Sequence, residues 1–169
     1  NYLLNSYKYI IDNFYYYYDP ITRTSEGTQG WTNFKAYDLK NNEWIEVKLR
    51  DSVTVQNFPD IIFSPDETIE FGGGDCEDFA ILYTSMAITK GYPANVYIIE
   101  IDKNGIQMFH AISVVNNRIL VDIPSELYIE GNGVDDIFNK YLKAIKAQNV
   151  TIINSFNNND FSNIKKTYS

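Results

Sequence analysis

Residues 72–90 constrain the fold of this chain more than any other segment. Three consecutive glycines, Gly72–Gly74, lead directly into a helical pattern from about Cys76 to Lys90, and Gly91 ends it. The apolar positions of this pattern are Phe79, Ala80, Leu82, Tyr83, Met86 and Ala87. A helix with so broad an apolar face is buried, so the rest of the chain must supply the layers that cover it.

Three further helices are predicted. Residues 2–15 carry apolar side chains at helical spacing, and Asp19-Pro20 ends the pattern. Ser64-Pro65-Asp66-Glu67 is a capping box with proline at the first helical position, so a short helix begins there. Residues 135–147 are amphipathic and predict a last helix.

Three strands are predicted after the buried helix, over residues 94–101, 107–115 and 118–123. Asn104-Gly105 turns the first pair and Asn116-Asn117 the second. The order of helix, insertion, buried helix, antiparallel meander and helix is an α+β arrangement.

The remaining segments complete the predicted organisation. Residues 22–30 have loop composition, and alternation within residues 43–56 indicates a hairpin or a long ordered insertion. We expect one domain over residues 1–154, followed by a polar, loose tail over residues 155–169.

Composition excludes several classes of protein. Of the 169 residues, 44% are hydrophobic and 21% charged, which is typical of a globular chain. A formal charge of −8 argues against nucleic acid as a partner. No apolar run reaches the roughly 18 residues that a membrane span needs. A single cysteine excludes an intrachain disulfide, and a start at Asn1 is expected of a mature or trimmed chain.

One cysteine, one histidine and a later aspartate supply the groups for nucleophilic chemistry. Cys76 begins the buried helix, where free N–H groups and the helix dipole stabilise a thiolate. His110 can take the thiol proton, and Asp122 on the next strand can orient the imidazole. The alternatives are a buried structural thiol, a core histidine bonded to a carbonyl, and a strand-end carboxylate before Pro124.

The turn between the last two predicted strands decides whether this set can assemble. A regular two-residue loop at Asn116-Asn117 would place His110 and Asp122 on opposite faces of the sheet, because a one-residue slip reverses the faces. We therefore predict an odd-length loop around residues 115–118, or a bulge. A three-residue loop with Asn117 in the left-handed region suits asparagine.

The chain resembles the transglutaminase-like superfamily, the relatives of papain-type cysteine proteases, over roughly residues 5–125. The stretches that carry the resemblance are Ile10–Asp19, Ser64–Ala80, Gly91–Ala94, Phe109–Ala111 and Leu120–Pro124. The resemblance implies a cysteine-bearing helix packed on an antiparallel sheet, with Cys76 as nucleophile, His110 as general base and acid, and Asp122 as the orienting group.

The resemblance also implies a function. The sequence Asp-Cys-Glu-Asp at residues 75–78 is similar to that of bacterial transglutaminase-like cysteine peptidases, which implies hydrolysis of peptide or isopeptide bonds through a thioester. Acyl transfer that cross-links proteins, or a non-catalytic binding module, remains an alternative. The expected partner is a protein or peptide substrate, and relatives of this type imply a location outside the cytoplasm.

The acids beside Cys76 have two interpretations. In a periplasmic member of the family such acids bind calcium, which would assign Asp75, Glu77 and Asp78 to a metal site. Three carboxylates would raise the pKa of the thiol, and calcium would relieve that repulsion. Capping of the helix by Asp75, or a buried hydrogen bond to Asp78, would also suffice. The chemistry itself requires no cofactor.

An oxyanion hole needs two donors. The backbone N–H of Cys76 is the first candidate, since it lies at the helix start. The second is expected from the N-terminal third, where Gln29, Trp31 and Tyr17 are candidates.

Overall fold

A computed structural model describes residues 1–17, 22–25, 29–50 and 62–169, and in them the chain has an α+β fold. The helices are α1 (Tyr2–Asn13), α2 (Pro65–Phe71), α3 (Cys76–Thr89) and α4 (Val134–Ile145). The strands are β1 (Tyr15–Tyr16), β2 (Thr22–Ser25), β3 (Trp31–Asp38), β4 (Glu43–Arg50), β5 (Gly73–Gly74), β6 (Ala94–Lys103), β7 (Ile106–Val115), β8 (Ile119–Asp122), β9 (Leu127–Glu130), β10 (Asn149–Phe156) and β11 (Phe161–Tyr168).

The main sheet is antiparallel and has six strands in the order β11-β10-β6-β7-β8-β9. Helices α1 and α3 pack on one face through a cluster that includes Ile10, Phe79 and Val115. Helix α4 packs on the other face through a cluster that includes Phe138 and Ile112. Successive strand residues point to opposite faces, so each central strand contributes to both clusters.

Two smaller sheets complete the fold. Strands β2, β3 and β4 form an antiparallel sheet, and β1 pairs in parallel with β5. The second pairing holds the chain that follows α1 against the two glycines that precede α3. None of the helices in the described parts of the chain has the length and hydropathy of a membrane-crossing segment.

The predicted helices and meander are confirmed. Helix α2 begins at the predicted capping box, where the Ser64 hydroxyl accepts from the backbone N–H of Glu67 at 3.3 Å. The Glu67 carboxylate accepts in return from the Ser64 N–H. Gly72 ends this helix with φ of 81°, a left-handed conformation that glycine adopts without a steric penalty.

The N-terminal insertion differs from its prediction. Part of the segment 22–30, predicted as a loop, is strand β2, which pairs with β3. Of the hairpin or ordered insertion predicted within residues 43–56, the structure describes strand β4, and the partner of β4 along its whole length is the preceding strand β3. The rest of that prediction, from residue 51, lies outside the described residues.

The prediction of a loose tail over residues 155–169 is wrong. Strand β10 continues to Phe156, and β11 pairs with β10 as an edge strand of the main sheet. Tyr168 is buried in the cluster below α4, and Ile164 packs against the same cluster. The segment is polar because most of its side chains face solvent at a sheet edge, where the backbone supplies the hydrogen bonds.

Candidate active site

The loop between β7 and β8 has the predicted odd length. Val115 lies opposite Ile119, so residues 116–118 form a three-residue loop. Asn116 and Asn117 both have φ of 54°, the left-handed region that asparagine tolerates. The register prediction is therefore confirmed.

This register places His110 and Asp122 on one face of the sheet. Continuing the pairing would put Ile112 opposite Asp122, with His110 two residues further along the same face. The imidazole Nε2 lies 2.8 Å from Asp122 Oδ1, within hydrogen-bond distance. The Asp122 carboxylate is fully buried, whereas the imidazole is partly exposed, so the pair is open to solvent at its His110 end.

Asp122 has two further donors. The Tyr141 hydroxyl, from α4, donates to Oδ2 at 2.7 Å, and the backbone N–H of Ser125 donates to Oδ1 at 3.3 Å. Burial raises the pKa of Asp122, but the hydrogen bond and charge of His110 and the Tyr141 and Ser125 hydrogen bonds outweigh it. The pKa therefore lies below its ordinary value, and the carboxylate is ionised at neutral pH.

Tyr141 could not be identified as a site residue from sequence. It occupies an inward position of an amphipathic helix, where a tyrosine looks like any core aromatic. The partner of its hydroxyl depends on how α4 lies across the sheet, which helical periodicity does not determine.

Cys76 is the first residue of α3, and the glycines before it are required by close packing. A Cβ at Gly73 would overlap the backbone carbonyl oxygen of Tyr15, and one at Gly74 would lie 2.6 Å from the Cβ of Asp78. The pairing of β1 with β5 therefore needs Gly73, whereas Gly74 leaves room for the Asp78 side chain that caps α3. The pairing delivers the chain to the start of α3 in a fixed position.

Cys76 packs against the buried cluster of Ala80, Val96 and Ala111, and Ala111 follows His110 in β7. The Cys76 Sγ lies 3.4 Å from Glu77 Oε2. Burial raises the pKa of the thiol, and the charges of Glu77 and Asp75 raise it further, whereas a hydrogen bond from the Ala111 backbone lowers it. Burial and the two acids thus oppose the thiolate that a helix N-terminus favours, and the raised pKa keeps the thiol protonated at neutral pH.

The three acids beside Cys76 divide into two groups. Asp78 is fully buried, and its oxygens accept from the backbone N–H groups of Phe63 at 2.8 Å and Asp75 at 3.0 Å. Asp78 is thus the reciprocal member of the capping box of α3. Carboxylate oxygens of Asp75 and Glu77 lie with the Cys76 Sγ within 4.8 Å of one another.

The sequence profile of the transglutaminase-like domain family matches residues 3–154. The chain belongs to this family. Among solved structures it is similar to calcium-bound LapG of Legionella pneumophila, at 20% identity and a TM-score of 0.45. That match covers 64% of this chain and 56% of the LapG chain, so it spans little more than half of that protein. No curated protein sequence matches the chain.

The transglutaminase-like domain has a mostly apolar cavity of about 470 Å³ at the open end of the His110–Asp122 pair. Its lining includes His110 itself and Met108, from β7. The apolar walls also come from α1, α3 and the segment after β8, through Ile10, Ile11, Phe14, Phe79, Ile123 and Pro124.

The candidate second oxyanion donors lie together, in a cavity separate from the one that His110 lines. Gln29, Trp31 and Tyr17 line a cavity of about 850 Å³ with residues of β3, β4 and α2. Tyr17 also donates its backbone N–H to the Gly74 carbonyl at 2.8 Å, two residues before the nucleophile candidate. The second donor stays a prediction.

Proposed function

We propose that this transglutaminase-like domain is a cysteine-dependent hydrolase that cleaves peptide or isopeptide bonds, with Cys76, His110 and Asp122 as its triad. The observation that carries the proposal is the 2.8 Å contact of His110 with the buried Asp122 carboxylate. The backbone of Ala111, the residue after His110, hydrogen-bonds the Cys76 thiol, so the nucleophile candidate lies beside β7 near the histidine.

The geometry supports one direction of proton transfer. Nε2 of His110 faces Asp122, which leaves Nδ1 to take the thiol proton. Sγ of Cys76 attacks the substrate carbonyl, and its backbone N–H at the helix start stabilises the oxyanion. The imidazolium then protonates the leaving amine, and a thioester remains. Water, deprotonated by His110, attacks the thioester. The C–S bond then breaks, the acid is released, and the imidazolium returns its proton to the Cys76 sulfur.

The charge state of the thiol determines the timing of that first transfer. Burial and the neighbouring acids keep Cys76 protonated, so a resting thiolate–imidazolium pair is disfavoured. Transfer to His110 therefore accompanies the attack on the carbonyl, as it does for a serine nucleophile. Anything that neutralises Glu77 and Asp75 lowers this barrier.

The cavity that His110 lines fits an apolar side chain of a protein or peptide substrate. Apolar surfaces of α1, α3 and β7 meet there, and burying such a side chain supplies binding energy at roughly 25 cal/mol per Å².

Asp75 and Glu77 fit a calcium ion, because calcium binds carboxylate oxygens and these two side chains lie close together. Asp78 does not fit, since its oxygens accept buried backbone N–H groups. A bound calcium ion would supply positive charge beside the thiol. On the basis of the motif resemblance, we also propose that the protein works outside the cytoplasm.

One experiment tests the proposal against acyl transfer and against a non-catalytic module. The protein and its Cys76→Ala variant are incubated with a peptidyl thiol-reactive electrophile, then with a peptide-library substrate with and without an amine donor. Hydrolysis and labelling that both require Cys76 support the proposal. Amine incorporation in place of hydrolysis indicates a transglutaminase, and neither product indicates a binding module.

A further inference from the structure

Tyr141 makes the contact on which a further inference rests. It is fully buried in α4, and its hydroxyl donates to Asp122 Oδ2 at 2.7 Å. The two residues are 19 positions apart and belong to different layers, because Asp122 ends β8 and α4 lies across the sheet.

The hydrogen bonds to Asp122 fix the rotation of its carboxylate. Oδ1 accepts from His110 and from the backbone N–H of Ser125, and Oδ2 accepts from Tyr141. Donors on both oxygens prevent the group from turning about its Cβ–Cγ bond. Of these donors, the Tyr141 hydroxyl is the one that holds the oxygen turned away from His110.

The tyrosine ring is itself held by packing. Phe138 meets it edge-on at a centroid distance of 6.5 Å, and Ile137 and Leu142 belong to the same buried cluster. Burial raises the pKa of Tyr141 well above 10, as does the adjacent Asp122 charge. The hydroxyl therefore keeps its proton and can donate at neutral pH.

We propose that Tyr141 is a positioning residue of the triad, which holds Asp122 so that Oδ1 faces Nε2 of His110 and the imidazole presents Nδ1 to Cys76. Its effect on turnover rests on the proposed function. Its effect on the imidazole does not, because the Asp122–His110 contact exists without substrate.

The kinetic test compares two variants that each remove one buried hydroxyl. Tyr141→Phe leaves Oδ2 of Asp122 without this donor, and we expect kcat to fall roughly 10- to 100-fold with little change in KM. The matched control is Tyr83→Phe. Tyr83 is equally buried and donates to the Leu3 carbonyl at 2.9 Å, away from the triad. Equal kcat values for both variants, with comparable thermal unfolding, would overturn the proposal.

A spectroscopic test needs no substrate. His110 is the sole histidine of the chain, so its imidazole nitrogens give one unambiguous set of NMR signals. In the wild type we expect the neutral ring to be the Nε2–H tautomer, with a slowly exchanging Nε2 proton. A dominant Nδ1–H tautomer would contradict the proposed orientation, whether or not the variant folds.

Tyr141→Phe should speed the exchange of the Nε2 proton and populate the other tautomer, and Tyr83→Phe should do neither. Unchanged signals in Tyr141→Phe would overturn the positioning role. If the signals change as expected but the wild type has no turnover, the positioning role holds and the proposed hydrolase function fails.

Discussion

The Asp78 carboxylate accepts a buried hydrogen bond of 2.8 Å from the backbone N–H of Phe63. The chain just before α2 is thereby joined to the first turn of α3, which carries Cys76. The same carboxylate accepts from the N–H of Asp75, the cap of that helix. One side chain thus satisfies two buried donors from separate segments, and the start of α3 depends on it.

Replacing Asp78 with alanine should cost about 2–4 kcal/mol of the free energy of unfolding, because two buried N–H groups lose their acceptor. Urea unfolding measures this. Asp12→Ala, at an exposed position of α1, is the control and should change little. A loss in Asp78→Ala no larger than in the control would show that water replaces the carboxylate there.

Glu77 should slow the reaction of Cys76 with alkylating agents. Its charge is the largest influence after burial that raises the pKa of the thiol, so Glu77→Gln should lower that pKa and raise the thiolate fraction at a given pH. We expect alkylation to be roughly three- to tenfold faster at pH 8. The gain in rate is smaller than the gain in thiolate fraction, because the thiolate of a more acidic thiol is a weaker nucleophile. Glu43→Gln, at an exposed position of β4, is the charge-matched control. Equal rates in all three proteins would contradict the assignment.

Bound calcium should affect the alkylation rate of Cys76 in the same direction as removal of the Glu77 charge. If Asp75 and Glu77 bind the ion, calcium should speed alkylation of Cys76 and a chelator should reverse the gain. Calorimetric titration should show the binding heat disappear in Asp75→Asn, which keeps a side chain that caps helices well. Asp135→Asn, at an exposed carboxylate on α4, should retain it. No binding heat and no response to chelation would leave capping as the sole role of these acids.

Stability should fall in acid because of Asp122. The pKa of Asp122 is lower in the folded chain than in the unfolded chain. The ionised carboxylate therefore stabilises the fold at pH values above the ordinary aspartate pKa of about 3.9. That contribution is lost as the pH falls through the lower folded value, where the folded protein also takes up the proton. Urea unfolding between pH 3 and pH 7 should show this loss, and Asp122→Asn should flatten it. A variant with the same pH dependence as the wild type would refute the attribution.

Sequence predicted those parts of the fold whose signals are local. The capping box at Ser64 and the glycines before Cys76 indicated two helix starts. The odd length of the β7–β8 loop followed from the requirement that His110 and Asp122 lie on one face of the sheet. Strand β11 escaped prediction because an edge strand with one buried face needs few apolar residues. The sequence allows a buried hydrogen bond to Asp78, but it cannot identify the partner Phe63, nor the partner of Tyr141, because both lie far away along the chain.

Those distant partners also set when the site can exist during folding. The contacts that build it join residues 12, 15 and 19 positions apart, and the last of them requires α4 to be docked on the sheet. Loops between such partners must close before any of these contacts forms. A chain that is still emerging or partly unfolded therefore carries the cysteine, the histidine and the aspartate without their arrangement. Under the proposed function, such a chain gains hydrolase activity only once α4 is docked on the sheet.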